Sequence, residues 1–189
     1  MMQMMDKQQM RQRYLQMRNE LSDCQVAEWS QKICEHLVRW EAFLQAKTIY
    51  FYYPLGNEVD LLEAAGEALR LGKQVAFPKT EGDRIRFFQV ENLRDFREGC
   101  FHVMEPVSHQ VVEVIRPLIL TPGLVFDCQK NRMGYGRGYY DRYTADYPEA
   151  VRVGITYENQ ITGHTPIEKH AMPMRLNSRI WIWRPLTVS

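Results

Sequence analysis

A chain of 189 residues, 45% hydrophobic and 25% charged, has the size and composition of an ordinary globular protein that needs no disulfide or structural metal to hold a core. Its formal net charge of +1 argues against nucleic acid as a partner held through bulk charge. The scattered cysteines and histidines lack zinc-site spacing, the opening residues lack a signal-peptide core, and no stretch approaches the ~20 apolar residues that span a bilayer. A cytoplasmic protein with reduced thiols and no membrane or nucleic-acid partner is expected.

From Asp6 to Asn19 good helix formers run without Gly or Pro, and Met10, Tyr14, Met17 and Leu21 form an apolar stripe beside Lys7, Arg11 and Arg18. On spacing alone these cations are the solvated face of an amphipathic helix. Ser22, with Gln25 three residues later, predicts the start of a second helix through Trp29, Ile33 and Leu37. The run Thr48–Tyr53 predicts a buried strand that stops at the turn Pro54-Leu55-Gly56-Asn57. Asp60 then reads as the cap of a helix that ends at Gly72, and Gln74–Phe77 as a strand closed by Pro78. Strand, helix, strand is a βαβ unit, which favours a parallel sheet.

Asp83–Val90 alternates as a hairpin strand does, and Leu118–Thr121 is a fully apolar strand ended by Pro122, after which Gly123–Phe126 continues at the sheet edge. Strands are also expected over Val151–Tyr157 and Arg179–Trp183, where Trp181 and Trp183 serve packing. The fold class expected is α/β, one three-layer α/β/α domain over residues 1–189 with a mostly parallel central sheet.

The most informative stretch is Asn131–Asp141, with glycine at 134, 136 and 138. Glycines so placed let backbone N–H groups approach a ligand unobstructed, and a helix opening near Gly138 would add its own free N–H groups as an anion site. Arg132 and Arg137 carry guanidinium forks suited to phosphate oxygens, and Asp141 is suited to a magnesium ion bridging those phosphates. The pattern is neither a Walker A loop nor a dinucleotide fingerprint, and on spacing alone glycines that merely serve turns explain it equally well.

The run Leu120-Thr-Pro-Gly-Leu-Val-Phe-Asp127 followed by Arg132-Met-Gly-Tyr-Gly-Arg-Gly-Tyr-Tyr-Asp141 resembles the 5-formyltetrahydrofolate cyclo-ligase (methenyltetrahydrofolate synthetase) family, with Met133 in place of a leucine. Lys7, Arg11, Arg18 and Leu21-Ser22 match its N-terminal helix, and Tyr53 to Asp60 its first strand-to-helix turn. The resemblance implies an ATP-dependent conversion of 5-formyltetrahydrofolate, with or without a polyglutamate tail, to 5,10-methenyltetrahydrofolate by a monomeric enzyme. It implies nucleotide contacts from Lys7, Arg11, Arg132, Met133, Gly134, Tyr135, Gly136, Arg137, Gly138, Tyr139 and Tyr140, with Lys7 and Arg137 acting on the transferred phosphoryl group. Tyr53, Glu58, Tyr135 and Tyr139 would meet the folate and Asp141 the Mg2+. The family's C-terminal Asp falls on Ala171, which cannot ligate a metal; a diverged, non-catalytic binder of nucleotide or reduced folate is the alternative that this departure favours.

Overall fold

The structure, a computed structural model, describes residues 6–163; Ala171 and the strand expected over 179–183 lie outside them. Helix α1 (Lys7–Asn19) opens with Asp6 accepting the Gln9 N–H at 2.8 Å while the Gln9 side chain returns to the Asp6 N–H. Helix α2 (Asp23–Leu37) repeats this capping box with Ser22 and Gln25, as the sequence predicts. A short helix α3 (Glu41–Gln45), which the sequence did not announce, leads into strand β1 (Thr48–Tyr50). Helix α4 (Leu62–Arg70) and strand β2 (Gln74–Glu81) complete the βαβ unit, with β1 and β2 parallel. Asp60 is off the cap position by one residue: Leu61 occupies it, although the Asp60 carboxylate still accepts the Leu62 N–H at 2.8 Å.

Strand β2 does not close at Pro78. Its pairing with β1 ends at Ala76, and Pro78 lies opposite Phe87 of strand β3 (Arg84–Gln89) in an antiparallel ladder. Beyond Ala76 the strand is an edge on the β1 side, where a residue without an N–H is tolerated. A hairpin of β4 (Phe96–Glu98) and β5 (Met104–Pro106) follows, its tip holding Phe101 and His102 at φ 58 each.

The later elements are β6 (Leu118–Pro122), β7 (Val125–Asp127), β8 (Arg132–Met133), α5 (Tyr139–Asp146), β9 (Val151–Ile155) and β10 (Ile161–Thr162). The central sheet runs β3-β2-β1-β6-β9, parallel except for β3. One face packs with α2 and α4 through Ile33, Leu37, Ile49, Ala65 and Leu120; the other packs with α5 through Tyr50, Phe87, Ile119 and Tyr143. The three-layer α/β/α class is therefore correct. No helix among the described residues is long and apolar enough to cross a membrane.

The continuation of Gly123–Phe126 along the central sheet is not what the chain does. Strand β7 leaves that sheet and joins β8 and β10 in a second, three-stranded one. Phe126 explains the departure. Its ring fills the space above Gly123 and Gly154, so that a Cβ on Gly154 would stand 2.3 Å from the ring. Helix α1 covers the small sheet through Met10, Leu124, Val125 and Met133, which ties the N-terminal cations to the glycine-rich segment.

Gly154 is held opposite Thr121 in the β6–β9 ladder, and the clash would have to be relieved by moving that pairing or the buried Phe126 ring. Gly154→Ala is expected to lower stability by about 1–3 kcal/mol in urea denaturation. A neutral effect would show that the Phe126 packing is not what fixes this corner.

Candidate active site

Strand order reverses between β1 and β6: the chain proceeds from β1 outward to β2 and β3, then returns to lay β6 and β9 on the other side. In open parallel sheets the crevice beyond the carboxyl ends of the strands at such a switch point is the usual ligand position. Glu58 follows β1, and the glycine-rich segment follows β6 through β7 and β8.

Asp127 builds the entry to that segment. Fully buried, its Oδ1 accepts the N–H groups of Gln129 and Asn131 at 3.0 and 2.8 Å, and its Oδ2 the Asn131 side-chain amide at 2.9 Å. The turn so fixed aligns β8 against β7. Arg132 then spans the site: its guanidinium donates to the Pro122 carbonyl at 3.1 Å and to Asp141 at 2.7 Å, and lies 5.7 Å from the Tyr140 ring centre. Its Nε is buried without a partner.

A Cβ on Gly134 would stand 2.8 Å from the Arg132 guanidinium, so a larger residue here would push that side chain aside. Gly136 and Gly138 have φ of +98° and +67°, which side-chain-bearing residues rarely adopt. Gly138 holds the cap position of α5 without a side chain to offer, so the first-turn N–H groups are left for another acceptor. A glycine-rich loop, a helix N-terminus without a side-chain cap and the nearby Arg132 are together suited to a polyanion, and the loop is called the cradle below. Arg11 joins it by donating its Nε–H to the Gly134 carbonyl at 3.1 Å. Lys7 lies one turn earlier on α1, half-buried.

Other expected residues sit around this cradle. Arg137 stacks its guanidinium over the Phe101 ring at 3.7 Å from the ring centre, a contact from the β4–β5 hairpin. Tyr139 lies beneath the Arg142 guanidinium, 5.5 Å from the ring centre, and packs on the α5-side core. Tyr140 is held between both cores, where burial pushes its phenol pKa well up. Tyr53 packs half-buried against Phe96, ring centres 5.0 Å apart. Met133 is buried under α1. Asp141 lies in the first turn of α5, its carboxylate 62% exposed and one oxygen held by Arg132.

Glu58 is buried to 5% exposure, not a surface turn residue. Its Oε2 accepts the Leu55 N–H at 2.9 Å and its Oε1 the Tyr135 hydroxyl at 3.1 Å. Opposite stands Arg18, 2% exposed, with Nη1 3.5 Å from Oε1 and Nη2 donating to the Tyr135 oxygen. Arg18 Nε and Nη1 make no directed hydrogen bond, so the charge pair leaves donor capacity unused in the pocket. Arg18, Phe101 and Asp127 are the site residues that sequence reasoning did not assign. For Arg18 a signal existed: it interrupts the polar face one turn and three residues beyond Arg11, next to the apolar Met17 and Leu21.

Among the described residues no group of three or more His, Cys, Asp or Glu side chains gathers to hold a metal. The residues present fit magnesium only in the form usual at nucleotide sites, with one carboxylate from the protein and the remaining oxygens from phosphates and water. Asp141 is placed for that.

A mostly parallel α/β sheet with a glycine-rich loop beside a buried carboxylate at its switch point has the layout of an open α/β ligand-binding enzyme. A sequence profile of the 5-formyltetrahydrofolate cyclo-ligase family matches residues 3–176, and the chain belongs to that family. It is 32% identical over 165 residues to the 5-formyltetrahydrofolate cyclo-ligase of Mycoplasma pneumoniae, covering 82% of this chain and 88% of that one. The Escherichia coli protein of the same name is 23% identical over 181 residues, covering 89% and 98%. The solved 5,10-methenyltetrahydrofolate synthetase of Aquifex aeolicus superposes with a TM-score of 0.78 at 31% identity over 89% of this chain and 87% of its own. The Mycoplasma pneumoniae synthetase structure gives 0.69 at 28%, covering 86% and 92%.

Burial dominates the titration of Glu58 and raises its pKa, with Arg18, the Leu55 N–H and Tyr135 opposing. A raised folded-state pKa means that the ionised carboxylate costs stability, and that this cost is relieved as pH falls through the raised value toward the ordinary glutamate range near ~4.3. The stability of the wild type minus that of Glu58→Gln should therefore increase as pH is lowered toward the ordinary glutamate range in paired urea titrations. A difference that stays flat or decreases would contradict the assignment.

Proposed function

We propose that the protein phosphorylates the formyl oxygen of 5-formyltetrahydrofolate with ATP. N10 then attacks the formyl carbon, the oxygen leaves as phosphate, the N10 proton is lost, and 5,10-methenyltetrahydrofolate and ADP remain. The observation that carries the reading is the contact of the cradle with the buried Glu58 through Tyr135, 77 residues apart in sequence, which sets the phosphate end against the folate end. An amide-like oxygen is a poor nucleophile, so positioning in line with the γ-phosphate and charge neutralisation are the main demands.

In this reading the N–H groups of residues 134–138 and the first turn of α5 receive the triphosphate, with Lys7, Arg11 and Arg132 around it. Met133 and Tyr140 hold the cradle against the cores. Arg137 leaves the Phe101 ring to meet the γ-phosphoryl group, and Tyr53 and Tyr139 offer flat surfaces for the pterin or aminobenzoyl ring. Glu58 accepts hydrogen bonds from the pterin, and Asp141 holds the magnesium, which neutralises phosphate charge when bound. The enzyme is taken to act as a monomer in the cytoplasm, where the exposed thiols of Cys24, Cys100 and Cys128 suit a reducing environment. The family match and the relatives named above support the activity over the non-catalytic binder, which rests on Ala171 alone.

With ATP, magnesium and 5-formyltetrahydrofolate the protein should generate the near-ultraviolet absorbance of the methenyl product. Silence in that assay with ATP still bound would reject the activity. Arg137→Ala should lower kcat/KM by about 10²-fold, the scale of losing one transition-state donor. Its melting temperature should move by only a degree or two, because the side chain is exposed. Loss of both to the same degree would make Arg137 a structural residue.

A further inference from the structure

Tyr135 stands between two pinned points. On one side the Gly134 carbonyl is held by Arg11. On the other the Tyr135 hydroxyl donates to Glu58 Oε1 at 3.1 Å and accepts from Arg18, whose guanidinium carbon lies 5.4 Å from the centre of its ring. The ring is nevertheless 41% exposed, and its neighbours are glycines, one of them at φ +98°. A side chain so attached can leave its pocket at small backbone cost, while the carboxylate it caps is buried and cannot follow.

Glu58 has two oxygens. Oε2 is committed to the Leu55 N–H within its own turn. Oε1 is the oxygen that faces the cradle, and its directed hydrogen bond comes from Tyr135. A ligand donor that reaches Oε1 from the side of the glycine loop competes with the tyrosine hydroxyl for that oxygen. Beside it, Arg18 Nε and Nη1 are buried without a directed hydrogen bond, so donor capacity remains next to Oε1.

We propose that Tyr135 is a positioning residue that stands in for the folate donor on Glu58, so that folate entry releases the glycine loop to settle on the triphosphate and the two substrates bind cooperatively. The inference rests on the reading of Glu58 as the folate's partner. The tyrosine remains protonated throughout, since burial and the neighbouring carboxylate push its pKa up to about 12, and it can donate at any working pH. Coupling of this kind is reciprocal: a nucleotide that draws the loop off Glu58 opens the folate pocket by the same factor. A hydrogen bond to a charged acceptor corresponds to roughly tenfold in an equilibrium constant.

The test is calorimetric titration of wild type, Tyr135→Phe and Tyr135→Met with 5-formyltetrahydrofolate, with a non-hydrolysable ATP analogue plus magnesium, and with each in the presence of the other. In the wild type each ligand should tighten the other about tenfold. Both variants lack the hydroxyl and keep an apolar chain against Arg18; each should bind folate alone about tenfold more tightly than wild type, with the mutual enhancement reduced to near unity. Unchanged enhancement in both variants, or weaker folate binding by Tyr135→Phe, overturns the inference and leaves the site reading intact. A wild type that does not bind folate at all removes the site reading, and this inference with it.

Discussion

Two opposite charges, Arg18 and Glu58, stand 3.5 Å apart with side-chain exposures of 2% and 5%, and the geometry of the site depends on them. Removing either ion from water costs several kcal/mol, so the pair persists only where further polar groups complete its solvation. Those groups come from different parts of the chain. The Leu55 N–H belongs to the turn after β1, and Tyr135 to the glycine loop. Asn57 donates to the carbonyls of Arg18 and Leu21 at the end of α1. A charge that must be satisfied thus binds the first helix, the switch-point turn and the phosphate cradle to one another.

The same convergence explains why the chain needs its second sheet. Strands β7 and β8 carry the glycine segment away from the central sheet and present their outer face to α1. Arg11 and Arg18, seven residues and about two helical turns apart, then point at the cradle and at the folate end respectively. Asp127 fixes the turn between the two strands by accepting hydrogen bonds from Gln129 and Asn131 within it.

The βαβ unit and the capping box at Ser22 were legible because each is a local pattern: a helix cap three residues long, a strand of one period. The capping box at Asp6 was not read, because Asp6 was taken into the helix itself. The departure of β7 was not legible, because it arises from Phe126 filling the space over Gly154, a contact between residues 28 apart that no periodicity encodes. Pro78 misled for a related reason: a proline stops a strand only when its missing N–H faces a partner, and the partner strand had already ended. Arg18 was grouped with the solvated face of its helix. Its burial is decided by Glu58 and Tyr135, both remote in sequence, so the sequence offered its position and not its partner.

The stacking of Arg137 on Phe101 joins the cradle to a hairpin that is part of neither the central sheet nor the small one. The tip reaches the arginine only because residues 99–103 bend as they do, with two successive left-handed residues. A change in the length of that hairpin would move the aromatic face against which Arg137 rests while leaving both sheets and the glycine segment in place.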